Sequence, residues 1–312
     1  MTDRAPHPTL RGGQGTGLVY AIAAYGLWGF LPGFFLLLAP ASPWEIVAFR
    51  ILMSLVFCAI LLTVTRGWRA FAGLSRQPRV LFTMGLAGVL IYVNWQVFVL
   101  ATLTGHVVEG SLGYFINPII TVALGVVVLR ERLRPLQWVA VGISVVAIFV
   151  IAFGYGEFPW IALALALSFG FYGFIKKRVG AQVDAVSGLT LETAWLTPVA
   201  IIQLAVTAAT VGLTFGTVSP VHTTLMIATG VITATPLLLF AAAARRLPLV
   251  ALGLTQYLAP ILQFLTGVFL LQEPMPLERW IGFGLVWVAL VLLTVDMVRA
   301  ARAGRRASLP TA

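Results

Sequence analysis

The chain has 312 residues, 60% of them hydrophobic and only 10% charged, with a mean hydropathy of +1.00 and a net charge of +10. So few charges could not cover the surface of a soluble domain, which excludes a water-soluble globular protein. A single cysteine, Cys58, excludes an intrachain disulfide, and the Lys and Arg residues are not gathered into the one basic face that a nucleic-acid partner requires.

A bilayer core takes about 20 mostly apolar residues per helix. The hydrophobic runs predict ten spans, near 17–38, 45–65, 80–103, 107–129, 136–154, 159–175, 185–209, 221–244, 249–271 and 278–298. The fold class is therefore an all-α polytopic membrane protein. The longest internal connector, 66–79, leaves no room for an inserted soluble domain. Ala39-Pro40-Ala41 has the look of a signal-peptidase site, but the preceding apolar stretch is longer than a signal h-region and carries Gly26, Gly29, Pro32 and Gly33.

Those first-span glycines, with Gly85 and Gly88 in the third span, are expected to be close helix contacts, Gly29-x-x-x-Gly33 being the small-residue spacing. Ser42-Pro43-Trp44-Glu45 reads as a capping box opening the second span. Arg50 follows about a turn and a half later. A charge at mid-membrane costs roughly 2.5–3.5 kcal/mol on insertion scales, so Arg50 either meets an anionic substrate group or carboxylate, or snorkels to the surface. Asn94, Trp95 and Gln96 fall near the middle of the third span, where amides need partners from other helices or from a cavity. In the fourth span Glu109 suits a helix N-terminus, and Ser111, Tyr114 and Asn117 recur on roughly one face before Pro118 interrupts the backbone ladder. Glu192, in the seventh span, is too short to snorkel and needs a partner, a proton or water. In the ninth span Gln256, Tyr257, Pro260 and Gln263 echo the fourth, so Pro118 and Pro260 are expected as paired hinges.

The basic residues report orientation. All of the 20 Lys and Arg except Arg50 and Arg279 fall before the first span or after an even-numbered one, and the positive-inside rule places both termini in the cytoplasm. The clusters so formed are expected to contact anionic lipid headgroups. Sliding the chain by 142 residues lays Pro118-Ile119 on Pro260-Ile261, Gly125-Val126 on Gly267-Val268, Glu131 on Glu273, Trp138 on Trp280 and Gly142 on Gly284. Two units of five spans, 17–154 and 159–298, then enter from opposite sides as an inverted repeat, flanked by tails at 1–16 and 299–312. The same offset carries Arg50 onto Glu192. These opposite charges either bracket a central cavity or form an internal ion pair.

Asn94-Trp95, Glu109-Gly110-Ser111-Leu112-Gly113-Tyr114-Phe115-Ile116-Asn117-Pro118, Glu131-Arg132-Leu133 and Gln137-Trp138 closely resemble the RarD branch of the drug/metabolite transporter superfamily, built from EamA-type repeats. Pro159-Trp160-Ile161-Ala162-Leu163-Ala164, Pro236-Leu237-Leu238-Leu239-Phe240 and Gln256-Tyr257-Leu258-Ala259-Pro260 extend the resemblance across the second half. It implies a ten-helix bacterial inner-membrane permease for a small-molecule substrate, and it favours cavity lining for Asn94 and Trp95. Members of the branch are commonly labelled chloramphenicol-sensitivity or resistance proteins.

The sequence holds no P-loop, no metal-ligand spacing around His7, His106 or His222, and no nucleophile elbow; no cofactor, metal or catalytic residue is expected. Three functions stay open: a secondary transporter, a channel-like or signalling protein, and a membrane enzyme acting on lipid.

Overall fold

The computed structural model describes residues 11–129, 134–154, 158–179, 182–244, 246–247, 252 and 255–307. Arg4, His7, Arg130, Glu131, Arg132 and Arg245 lie outside the described residues. The described chain is helical throughout: α1 (Arg11–Leu36), α2 (Pro43–Val64), α3 (Trp68–Ser75), α4 (Pro78–Leu103), α5 (Val107–Leu129), α6 (Pro135–Gly154), α7 (Trp160–Val179), α8 (Ala185–Thr210), α9 (Pro220–Ala244), α10 (Leu258–Leu265) and α11 (Leu277–Ala307). A π-helical turn, Thr266–Leu270, continues α10.

Six of these helices are long and apolar enough to cross a membrane, and shorter apolar stretches lie at Val107–Ile120, Pro135–Ile151, Trp160–Lys176 and Leu258–Leu270. Large apolar side chains such as Phe30, Phe82, Phe149, Ile202 and Phe269 project outward, whereas Arg50, Asn94, Ser111, Glu192 and Thr193 are buried. That distribution suits a hydrocarbon surround, where every polar group must be satisfied from within the bundle.

Helix starts follow local chemistry. α2, α4, α6 and α9 each begin on proline, whose missing N–H costs nothing in a first turn. Ser42 caps α2, its Oγ accepting from the Glu45 amide at 3.2 Å, and Asp184 caps α8 through the Val186 and Ser187 amides. Only half of the expected capping box forms. The Glu45 carboxylate turns away and accepts from the Thr214 and Phe215 amides, both at 2.9 Å, tying α2 to the α8–α9 connection.

The connector at 66–79 folds into α3, a short helix with no buried residue. Pro260 sits in the first turn of α10, and Pro118 is interior to α5. Helix α1 begins at Arg11 and α11 runs to Ala307.

Helix packing has a regular pattern. α6 packs on α11, α2 on α8 and α5 on α10; α5 on α7 matches α10 on α1, α2 on α9 matches α8 on α4, and α1 on α9 matches α7 on α4. Each pairing maps onto another, or onto itself, when the first five long helices are exchanged for the last five.

Small residues set the closest approaches. A Cβ at Gly113 would meet the Ala162 carbonyl oxygen at 2.6 Å, and one at Gly230 would collide with the Met53 backbone. Gly29, Gly85 and Gly88 likewise face Leu262, Trp195 and the Glu192 carbonyl, but Gly26 and Gly33 have nothing within 4 Å, so Gly33 is not the packing contact its spacing suggests. Gly113→Val and Gly230→Val should each destabilise the protein by about 1–3 kcal/mol, whereas Gly26→Ala and Gly33→Ala should be neutral or slightly stabilising. Chemical unfolding in detergent micelles measures all four; equal losses at Gly33 and Gly113 would refute this packing.

Candidate functional site

The polar interior is built where helices from the two halves meet. Arg50 lies one helical turn above Ser54 on the buried face of α2 and is only 3% exposed. It does not snorkel. Its guanidinium carbon lies 4.2 Å from the Trp95 ring centroid on α4 and 5.4 Å from that of Phe35 on α1. Nε donates to Thr233 Oγ1 on α9 at 2.9 Å, while Nη1 is buried without an acceptor. The site therefore contains a cation held by aromatic faces and one hydroxyl.

Asn94, beside Trp95, forms the adjoining part. Its Nδ2 donates to the Leu165 carbonyl and to Ser168 Oγ on α7, each at 3.3 Å, and its Oδ1 accepts from the Tyr114 hydroxyl of α5 at 2.9 Å. Tyr114 packs edge-on against Phe98 and Phe169. Asn117 lies one turn further along α5, its Oδ1 against α7 at Gly170. Arg50, Trp95, Asn94 and Tyr114 thus come together, and Phe35, Thr233 and Ser168 join them.

Glu192 lies elsewhere. It is 1% exposed, accepts from Lys176 Nζ at 2.7 Å and from the Tyr172 hydroxyl at 3.2 Å, and makes no pair with Arg50. The internal Arg50–Glu192 ion pair is therefore not formed. Lys176, grouped by sequence with the cytoplasmic basic cluster, instead turns into the bundle from the last turns of α7. The signal available was the Tyr172-x-x-x-Lys176 spacing, which puts both side chains on one face of α7.

The remaining candidates are dispersed. Glu109 accepts from the Ile161 and Ala162 amides at 3.0 and 3.4 Å, capping α7 and not only favouring its own helix. Two surface clefts adjoin it, lined by Val108, Ile151, Arg279 and Phe283 in one case and by His106, Phe158 and Trp160 in the other. Glu273 caps α5 in the same way, accepting from the Val107 and Val108 amides at 2.6 and 2.9 Å. Gln263 donates to the Trp28 carbonyl at 3.1 Å. This contact joins α10 to α1, apart from Arg50. Among the described residues no group of His, Cys, Asp and Glu could hold a metal.

Known proteins match this arrangement. The EamA-like transporter family model matches residues 15–153. Protein RarD of Streptomyces exfoliatus is 47% identical over 301 residues, covering 96% of this chain and 95% of its own. An uncharacterized transporter of Vibrio cholerae serotype O1 is 39% identical over 291 residues, covering 93% of this chain and 96% of its own. A crystal structure with 18% sequence identity superposes with a TM-score of 0.58 over 92% of this chain and 99% of that one, a likeness of fold alone.

The Lys176–Glu192 pair is asymmetric, with side chains 29% and 1% exposed. Lys176→Met strands a carboxylate with only Tyr172 beside it and should cost about 3 kcal/mol or more. Glu192→Gln frees a lysine able to reach the bundle end and should cost only about 1 kcal/mol. The double variant Lys176→Met/Glu192→Leu should recover most of the loss. Unfolding in micelles gives the order, and a larger loss for Glu192→Gln would contradict it.

Proposed function

The chain belongs to the RarD branch of the EamA-like transporters and is a multi-pass bacterial inner-membrane protein; from that premise we propose that it is a secondary carrier moving a small molecule by alternating access. The observation that carries this reading is the origin of the buried polar cluster. Arg50, Asn94, Trp95 and Tyr114 come from the first five-span unit, and their partners Thr233, Leu165 and Ser168 come from the second. A site made by both units is opened to one side or the other as they rock, without rebuilding either.

The interchange of helix pairs described above supports an inverted repeat of units 17–154 and 159–298. Under that topology the end carrying Arg66, Arg69, Arg76, Arg79 and Arg134 faces the cytoplasm with both termini, near anionic headgroups. Rocking must break contacts between units. At the opposite end Glu45, Glu109 and Glu273 accept from backbone amides of the other unit. We assign these as the contacts that alternate. Pro118, interior to α5, and Pro260, in the first turn of α10, are the proposed hinges, and Gln256, Tyr257, Gln263 and Asn117 are secondary candidates for the path.

Proteoliposomes loaded with a defined mixture of amino acids, organic acids, organic amines and chloramphenicol test this, with efflux read by mass spectrometry. A carrier gives protein-dependent efflux that saturates and is accelerated by the same compound outside, and Trp95→Ala weakens it. Efflux that rises linearly without such acceleration would identify a channel; efflux equal to that of protein-free vesicles would end the transport reading.

A further inference from the structure

Among the described residues two basic side chains reach a carboxylate and Arg50 does not. Lys176 meets Glu192 at 2.7 Å, and Arg134 meets Asp296 at 2.7 Å. Among the described residues Arg50 has no carboxylate within ion-pair distance. Glu45, the acidic residue on its own helix, spends both oxygens on Thr214 and Phe215. A guanidinium that is 3% exposed, with one donor satisfied by Thr233 and Nη1 unsatisfied, is expensive to keep. If it served only to hold helices together, a neutral side chain would do so at less cost.

From this we infer that Arg50 is the anion-binding residue of the transport site, and that its ligand is a small organic monoanion: a carboxylate carried on an apolar body. The inference rests on the carrier reading above and names its substrate class. The guanidinium carbon lies over the Trp95 and Phe35 rings, and Nη1, on the guanidinium's edge, is a donor without an acceptor. A carboxylate is the group whose two oxygens match such an edge. One uncompensated positive charge balances one negative charge; a dianion would bring a second charge into the core without a partner. The surrounding side chains, Phe35, Trp95, Phe98 and Tyr114, offer aromatic surface and so favour an apolar remainder.

The test is melting of the purified protein in detergent with charge-matched triplets: phenylacetate, phenylacetamide and phenethylamine, and hexanoate, hexanamide and hexylamine. A ligand raises the melting temperature of the state it binds. At least one acid should raise that of the wild type by more than its own amide and amine do. Arg50→Gln should abolish this preference while melting, ligand-free, no lower than wild type, because an uncompensated buried charge is gone. Arg50→Lys, which keeps the charge but not the fork, should retain a smaller acid preference and serves if Arg50→Gln fails to fold. The proposal is overturned if no acid shifts the wild type, if amides or amines shift it as much, or if the acid response survives in Arg50→Gln. Acid-selective binding without saturable exchange in vesicles would sink the carrier reading and keep the anion site. Saturable exchange of amines or neutral compounds would do the reverse.

Discussion

A desolvated charge is the costliest object in an apolar bundle, and the arrangement of the Arg50 guanidinium governs the helices around it. Trp95 and Phe35 flank it, Thr233 takes one donor, and Tyr114 reaches toward it from α5 while bonding Asn94. Through these contacts α1, α2, α4, α5 and α9 converge on one point, with α7 joined through Ser168. Aromatic faces stabilise the cation without neutralising it. That distinction is what separates a binding group from an internal brace.

Glu192 shows the other solution. It occupies the position that the 142-residue offset assigns opposite Arg50, yet it is neutralised within the chain by Lys176 and bonded by Tyr172. The two halves share a helix plan but treat their buried charges differently, one left open and one closed. At the far end, carboxylates serve the backbone: Glu45, Glu109 and Glu273 each satisfy amides of another helix start or connection. Such contacts are strong because the acceptor is charged.

Much of this was legible in the sequence because hydropathy and charge placement act over whole segments. Helix bounds at Pro43, Pro78, Val107 and Ala185 fall within two residues of the predicted spans, and Asn94, Trp95, Tyr114 and Arg50 were readable as an unusual polar set. What was not legible depended on side-chain direction. Lys176 follows an apolar run and looks like a topology marker, but helix α7 extends past it and one face points inward. Gly29-x-x-x-Gly33 has the packing spacing, yet only Gly29 meets a neighbour. Glu45 fits a capping box, but a loop distant in sequence competes for its carboxylate and wins. Thr233 gave no signal, since it is one of five threonines in α9 and such residues ordinarily bond their own helix backbone, as Thr223, Thr224 and Thr229 do.

The most direct measurement supplies Arg50 with an internal counter-ion. In Thr233→Asp a carboxylate takes the place of the hydroxyl that accepts from Arg50 Nε at 2.9 Å. The quantity to follow is exchange, across proteoliposomes, of the organic acid that most stabilises the wild type, alongside the ligand-free melting temperature. If the uncompensated charge is the binding determinant, melting rises and exchange is lost, because the site is already filled by its own carboxylate. Exchange at the wild-type rate in a folded Thr233→Asp protein would contradict it.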